Sequence, residues 1–404
     1  MADVLKPRDS KGVEDAVQWA LADGKALEIV GGGSKRAIGR PAQTDLTLDL
    51  SGLSGVTLYE PEELVLTAKA GTPLAEIEAL VAARGQMLAF EPPDYSGVLG
   101  GERAHATLGG VLATNLAGPR RIKAGAARDH FLGFSAVSGR GEAFKSGGRV
   151  VKNVTGYDLC KLMAGSWGTL AVMTEATIKV LPAPETEETL VILGLDDAGA
   201  VRAMSAAMGL PCEVSGAAHL PAPVARRIPG AAGATTALRL DGVPASIAHR
   251  REVLAAALKS YGPVTVVTAE KSRQLWQAIR DGVPFAAGAI GTRPLWRIST
   301  APAGGAALAA MLGGEIDAEL FYDWAGGLIW IALAPTDDAG AGQLRRAVRQ
   351  YGGHATLIRA PASVRAAVDV FEPEEPALAA LTRRVKESFD PKGVLNPGRM
   401  RAGA

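Results

Sequence analysis

Three glycine-rich stretches in the first 170 residues constrain this chain more than any other feature. The first is Gly31-Gly32-Gly33-Ser34-Lys35, directly after a short strand expected at Leu27–Val30. The second is Thr107-Leu108-Gly109-Gly110, with Asn115 and Gly118 following. The third is Gly165-Ser166-Trp167-Gly168-Thr169-Leu170, which feeds an extended segment at 171–175. Glycine has no Cβ, so the backbone there can turn with positive φ or come close to another chain segment or a ligand. The 49 glycines follow no fixed period, which excludes collagen and repeat architectures. A chain of 404 residues is too long for one ordinary core and predicts two or three folding units.

Charge and cysteine usage exclude several functions. The net charge is +1. Arg120, Arg121, Lys123 and Arg128 cluster, but Phe131 is the one aromatic close behind them, so no nucleic-acid surface is expected. Cys160 and Cys212 have no metal-like spacing, so neither a disulfide framework nor a cysteine-ligated iron–sulfur cluster is expected in this chain. The first residues contain no apolar signal core, and no apolar run reaches the length of a membrane span. The expectation is a cytoplasmic protein that meets a membrane, if at all, through a partner.

Periodicity predicts alternating helices and strands. In Ser10–Asp23, the residues Val13, Ala16, Val17, Ala20 and Leu21 share one helical face, with Ser10 as the expected cap and Gly24 as the stop. Thr72 and Pro73 read as the start of a helix that buries Leu74, Ile77, Leu80 and Val81. Strands are expected at 46–50, 64–68, 169–180 and Phe131–Ser138. After a break at 182–188, strands at 189–195, 235–240, Leu295–Ser299, 318–322 and Leu328–Leu333 alternate with helices at 198–208, 245–259 and 337–349. This second region reads as an antiparallel sheet covered by helices. A helix at 377–389 and a turn-rich tail close the chain.

The first loop suits a phosphate, because consecutive glycines let N–H groups converge on an anion and Lys35 adds charge. A tight structural turn suits it equally. It lacks the GxxxxGK[ST] spacing, and the segment after it does not read as the helix that a dinucleotide fingerprint needs. The second loop permits close approach to a large planar or phosphorylated ligand, or a tight junction between subdomains. Trp167 reads as core or interface.

Taken in order, these pieces resemble a known family. GGGSK at 31–35, ATLGGVLATNLAGPRR at 106–121, RDHFLG at 128–133 and GSWGTLAVMTEATIKVLP at 165–182 resemble the vanillyl-alcohol oxidase (PCMH) type of FAD-binding domain. VKNVTGYDLCKLMAGSWGTLAVMTEAT at 151–177, YGGHATLIRAP at 351–361 and FDPKGVLNPGRM at 389–400 narrow the resemblance to the FAD-binding subunits of bacterial glycolate oxidases. The resemblance implies an α+β fold. A two-lobed FAD-binding domain would occupy 1–185, an α+β cap 186–365, and a C-terminal segment at 366–404 would pack back on the first domain. It implies that Gly31, Gly32, Gly33, Ser34 and Lys35 form the pyrophosphate loop. Thr107, Gly109, Gly110, Asn115 and Gly118 would lie along the flavin and ribityl chain, and Gly168, Thr169 and Val172 in the last cofactor-facing segment. No histidine lies in the first loop, so the FAD is expected to be non-covalent.

The same resemblance implies a complex with a larger FAD-linked subunit and an iron–sulfur subunit that oxidises glycolate to glyoxylate. Oxidising a 2-hydroxy acid needs a base, a cation for the carboxylate and a hydride acceptor. Catalytic relatives carry an HxHxGDGNxH-like segment, which this chain lacks. Its five histidines, His105, His130, His219, His249 and His354, are scattered. No metal site is expected and no general base is assigned. His130 is expected to pair with Asp129, His219 and His249 to sit at the surface or in packing, and His354 to be near the cavity or apart from it. Arg120 and Arg121 are candidates for holding a carboxylate, a phosphate or a partner. Lys152, Asn153, Tyr157 and Asp158 form a polar group, with the Tyr157 ring expected to be packed. A self-sufficient hydroxy-acid or alcohol dehydrogenase and an inert flavin-binding scaffold are the alternatives.

Overall fold

The strand Leu27–Val30 lies parallel to Leu46–Asp49, which in turn pairs in parallel with Asp3–Leu5. The computed structural model that shows this describes residues 3–101, 105–149, 156–228 and 231–403. Helix Ser10–Asp23 connects the outer two strands of this small sheet. It buries Val13, Val17 and Ala20, an i, i+4, i+7 stripe, against Leu27, Leu48, Val137 and Val172. Its cap is Asp9 rather than Ser10: the Asp9 carboxylate accepts from Gly12 N at 2.8 Å. Gly24 ends it in the left-handed conformation (φ 62°). The Thr72 expectation also fails. Its hydroxyl donates to Lys69 O at 2.7 Å instead of capping, and the helix Leu74–Ala82 starts after Pro73.

A second, antiparallel sheet has the order Val56–Glu60, Val65–Lys69, Ala171–Lys179, Phe131–Ser138, Ala143–Gly147. Its core joins Leu66, Phe134, Met173 and Ile178 to Ile77 and Val81 of the helix above and to Leu108 and Leu112 of Leu108–Thr114.

The third sheet is larger. Eight antiparallel strands run in the order Val264–Thr268, Thr186–Leu193, Thr235–Gly242, Gly216–Leu220, Ala318–Asp323, Leu328–Leu333, Leu295–Ser299, His354–Arg359. Both faces are covered. Ile329, Ile331 and Leu333 point to the helices Asp197–Met208, Pro244–Leu258, Gly305–Glu315 and Ala341–Tyr351. The alternate residues Leu328, Trp330 and Ala332 point to Tyr95, Val98 and Leu116 of the first lobe. Double coverage makes Leu328–Leu333 buried throughout. Strand Gly216–Leu220 was not foreseen, since its sequence GAAHL has little β-propensity. Tertiary packing explains it: a Cβ on Gly216 would lie 2.9 Å from the Trp276 ring, so a small residue is needed under that indole.

The chain then returns to the first lobe. Val385 and Phe389 of helix Pro376–Phe389 pack toward Phe144 and Leu159. Leu395 bridges in parallel to Leu27. Asn396 fastens two segments at once: its Oδ1 accepts from Ile29 N at 2.9 Å and its Nδ2 donates to Trp167 O at 2.8 Å.

Candidate functional site

A cleft opens where the small parallel sheet meets the five-stranded sheet. All three glycine-rich stretches reach it. The chain leaves Val30 at the end of its strand and turns through Gly31–Lys35 without entering a helix. A Cβ on Gly32 would sit 1.6 Å from His105 O, and one on Gly31 would sit 2.3 Å from Thr107 Oγ1. These two glycines let the first loop press against the second. Gly33 serves differently. Its φ is +74° and a Cβ there would meet only Val30 Cγ1, at 3.8 Å.

Among the described residues, none of the five backbone N–H groups from Gly31 to Lys35 donates to another protein group. Gly31, Gly32 and Ser34 are half-buried and Gly33 is exposed, so these donors are open to an acceptor from outside the chain, and converging N–H groups of this kind suit an anion. Lys35 adds a cation. It is buried, and its ammonium makes no hydrogen bond or ion pair among the described residues. Burial lowers its ammonium to about 8, a shift that Asp94 partly opposes. Arg36 is not free in this way, because it is paired with Glu28. An anion, such as a pyrophosphate, would satisfy both the N–H groups and Lys35.

Next along the cleft wall are Thr107, Gly109, Gly110, Ala113 and Thr114. Thr107 caps the helix Leu108–Thr114 through Gly110 N, and Gly109 packs so closely on Ala70 that its Cβ would lie 2.9 Å from Ala70 Cβ. Trp167, Gly168, Ala171 and Met173 form the opposite side. Trp167 has a left-handed φ of 55° and stacks at a tilt on Phe371, 5.3 Å between centroids. Small residues on both walls leave room for a flat ring.

Nine of the thirteen residues expected at the cofactor thus line the cleft: Gly31, Gly32, Gly33, Ser34, Lys35, Thr107, Gly109, Gly110 and Gly168. The other four lie behind it. Asn115 ends its helix at φ 50° and accepts from Arg128 N. Gly118 donates to Phe90 O and accepts from Trp324 Nε1. Thr169 bonds Ser166 O, and Val172 is buried beneath helix Ser10–Asp23. The sequence reading missed Arg399, Ala70 and Met173. Arg399 comes from the tail, donates to Lys35 O at 3.0 Å and Ile38 O at 2.9 Å, and so holds the first loop from behind.

The other candidates are dispersed. His130 does not pair with Asp129. Its Nε2 bonds Ala124 O, while Asp129 accepts from Ala126 N. His219 is fully buried in the large sheet, bonded to Thr236 and 3.4 Å from Asp197. His249 is exposed, and His354 is on an edge strand away from the cleft lining. The Tyr157 ring is 90% exposed rather than packed. Asp158 caps the helix Leu159–Met163. Lys152 and Asn153 fall outside the described residues. Both cysteines are free and buried. No group of three His, Cys, Asp or Glu able to hold a metal occurs among the described residues, and no helix among them is long and apolar enough to cross a membrane.

Arg120 and Arg121 part company. Arg120 is buried between the lobes with Glu91, Asp241 and Glu187. Glu91 also takes a bidentate pair from Arg239 at 2.9 and 3.0 Å. Burial alone would raise Glu91, but Arg239 and Arg120 hold it below its ordinary value. Arg121 turns away from this seam and lies over the Trp324 ring.

Comparison with known proteins agrees with this architecture. Residues 2–147 match the FAD binding domain family, and residues 370–400 match the C-terminal domain of FAD linked oxidases. The chain is 37% identical over 395 residues to "Glycolate oxidase subunit GlcE" of Escherichia coli (strain K12), covering 97% of each chain. It is 26% identical to "Glycolate oxidase subunit GlcD" of Bacillus subtilis (strain 168), covering 89% of this chain and 80% of that one. Among solved structures, p-cresol methylhydroxylase with substrate bound superposes with a TM-score of 0.72 at 14% identity, covering 98% of this chain and 88% of that one. An alkyldihydroxyacetonephosphate synthase superposes at 0.71 and 18%, covering 98% and 76%. These two likenesses establish the two-lobed, PCMH-type α+β fold.

Proposed function

This chain belongs to the family of the glycolate oxidase subunit GlcE, and from that premise we propose that it is the FAD-carrying subunit of a complex that oxidises glycolate to glyoxylate. The observation that carries the reading is the cradle at Gly31–Lys35. Its backbone donors are unused and its buried lysine has no partner among the described residues. Gly31, Gly32, Gly33, Ser34 and Lys35 hold the pyrophosphate, and Thr107, Gly109, Gly110, Gly168 and Met173 line the flavin and ribityl portion. Arg399 fixes the loop by its two carbonyl contacts. The cofactor is FAD, bound non-covalently, and when bound it supplies a two-electron acceptor. Residues 1–185 with 366–404 form the cofactor domain, and 186–365 form the cap.

The scatter of the histidines supports a division of labour. None of the residues lining the cleft is a histidine, and in this reading a larger flavoprotein partner takes the hydroxyl proton and hydride from glycolate. An iron–sulfur partner receives the electrons. The chain resides in the cytoplasm and reaches a membrane through these partners.

The test is flavin absorbance. The isolated chain should purify yellow, with FAD released intact by acid denaturation. Anaerobic glycolate should bleach the reconstituted complex but not the isolated chain. Bleaching of the isolated chain would make it a self-sufficient dehydrogenase, and a colourless chain inside an active complex would make it a scaffold.

A further inference from the structure

The first and third glycine-rich stretches both border the cleft, yet no hydrogen bond among the described residues joins them directly. A buried side chain from the tail joins them instead. Asn396 Oδ1 accepts from Ile29 N at 2.9 Å, two residues before Gly31. Asn396 Nδ2 donates to Trp167 O at 2.8 Å, directly before Gly168. The two contacts make opposite demands. Ile29 needs an acceptor and Trp167 needs a donor, and a primary amide offers both from one planar group.

The third stretch is shaped around this amide. A Cβ on Gly168 would lie 2.8 Å from Asn396 Nδ2, so the glycine makes room for it as well as supplying a φ of +70°. Trp167 and Asn396 are left-handed too, at φ 55° and 44°. Asparagine enters that region readily. A bulky aromatic residue rarely does, and persists there only where its surroundings fix it. Trp167 is fixed along its whole length: its N donates to Ala113 O at 2.9 Å, its O accepts from Asn396, and its ring stacks at a tilt on Phe371.

The tail does not need the amide in order to dock. Leu27 N donates to Val394 O at 2.8 Å and Asn396 N donates to Leu27 O at 2.9 Å. Asp390 accepts from Val394 N at 2.9 Å and Leu395 N at 2.8 Å, and Lys386 bridges Asp390 to Leu395 O and Thr169 O. All of these contacts survive a change of the Asn396 side chain. What the side chain adds is the link from the strand that leads into the first stretch to the third.

We propose that Asn396 is a positioning residue for the cofactor: it sets the spacing between the first and third glycine-rich stretches, so that both stand ready before FAD arrives. It acts through these loops. A cleft ordered in advance spares the ligand the cost of ordering it, and that saving appears as affinity. The inference rests on the FAD reading above for the identity of the ligand, while the linkage itself rests on the two hydrogen bonds.

The test compares Asn396→Ala, which removes both contacts, with Asn396→Asp, which keeps the acceptor for Ile29 N and sets an oxygen against Trp167 O. FAD is titrated into the flavin-free full chain between about pH 5 and 8, with each affinity referred to wild type at the same pH. Alanine should weaken binding by roughly tenfold or more throughout. Aspartate should weaken it at least as much at the alkaline end and regain affinity at the acid end, where the protonated carboxyl can donate to Trp167 O. Asp9→Ala, which removes a helix cap in the same lobe, should lower the melting temperature and leave FAD affinity unchanged. In the flavin-free alanine variant, amide hydrogen exchange should quicken at both 27–35 and 165–170 while 390–395 stays protected. Should that variant fail to fold, the pH response of the aspartate variant decides.

FAD affinity equal to wild type in both variants would overturn the inference, as would an equal loss in Asp9→Ala or exchange that quickens in only one of the two stretches. If wild type binds FAD and both variants bind it equally well, the linkage fails and the functional reading stands. If wild type binds no FAD and yet both stretches loosen together in the alanine variant, the functional reading fails and the linkage stands.

Discussion

The glycine-lined cleft and the charged seam between the lobes both gather polar groups, yet they are finished in opposite ways. In the seam every charge has its counterpart: Glu91 takes Arg239 and Arg120, and Arg120 takes Asp241 and Glu187 as well. In the cleft, five backbone donors and the Lys35 ammonium are left without protein partners among the described residues. A buried polar group left unpaired costs about 1–3 kcal/mol, more if charged. A fold bears that cost where a ligand repays it. The completed network is therefore structure and the incomplete one is a binding site, although both contain lysine or arginine beside a tight turn.

The strongest challenge to this distinction is Glu91→Ala. It strands Arg239 in the interior, while Arg120 keeps Asp241 and Glu187, and should lower stability by about 3–5 kcal/mol, read from denaturant unfolding, while the folded fraction binds FAD as before. Selective loss of FAD with stability unchanged would erase the contrast. Next in size is Gly32→Ala. A methyl 1.6 Å from His105 O forces the two loops apart, which should cost roughly 1–3 kcal/mol and sharply reduce flavin content. Gly33→Ala has open space and should lose about 1 kcal/mol through its positive φ alone.

Lys35→Met probes the cleft from the other side. FAD affinity, measured by fluorescence quenching, should fall by about tenfold or more. Flavin-free protein should not be weakened, since the substitution removes a poorly solvated cation. The pH response gives the sign. The Lys35 ammonium is near 8 in the fold against an ordinary 10.5, so between those values the unfolded chain holds a proton that the folded chain lacks. Stability of the flavin-free protein should then rise as pH climbs from about 8 to 10.5. The methionine variant should lose that rise, and bound FAD should flatten it.

Asp323→Asn should have the smallest effect on flavin binding. The carboxyl is near 7 in the fold and 3.8 ordinarily, so over that window the folded state holds the extra proton and stability falls as pH rises. Asparagine should remove this slope and leave flavin content unchanged. A persistent slope, seen in melts across the window, would show that another group titrates there.

Much of the fold was legible because its signals are local. Strands Leu295–Ser299 and Leu328–Leu333 are runs of large apolar residues that need no partner to be recognised. Strand Gly216–Leu220 was not, because what makes it a strand is its pairing with Thr235–Gly242 and Ala318–Asp323, which are distant in the chain. The Asp9 cap was mistaken for Ser10 because both residue types cap well and only the φ/ψ of Asp9 decides. At the site, the glycines could be found from sequence, whereas Ala70, Met173 and Arg399 carry no signal beyond ordinary packing or charge.

The sequence by itself determined that three glycine-rich loops, in a fixed order, would meet a large phosphorylated ligand or each other. The structure shows that they do both: Gly31 and Gly32 make room for the second loop, while Gly33 and Lys35 face the cleft. Tertiary structure alone decided the fate of Arg120 and Arg121. They are adjacent in the chain and chemically identical, but one is neutralised by acids from two lobes and the other lies on an indole that Arg297 also meets. The reason is physical. A backbone constraint such as a missing Cβ is written in one residue, whereas the state of a charge depends on partners that only folding brings within reach.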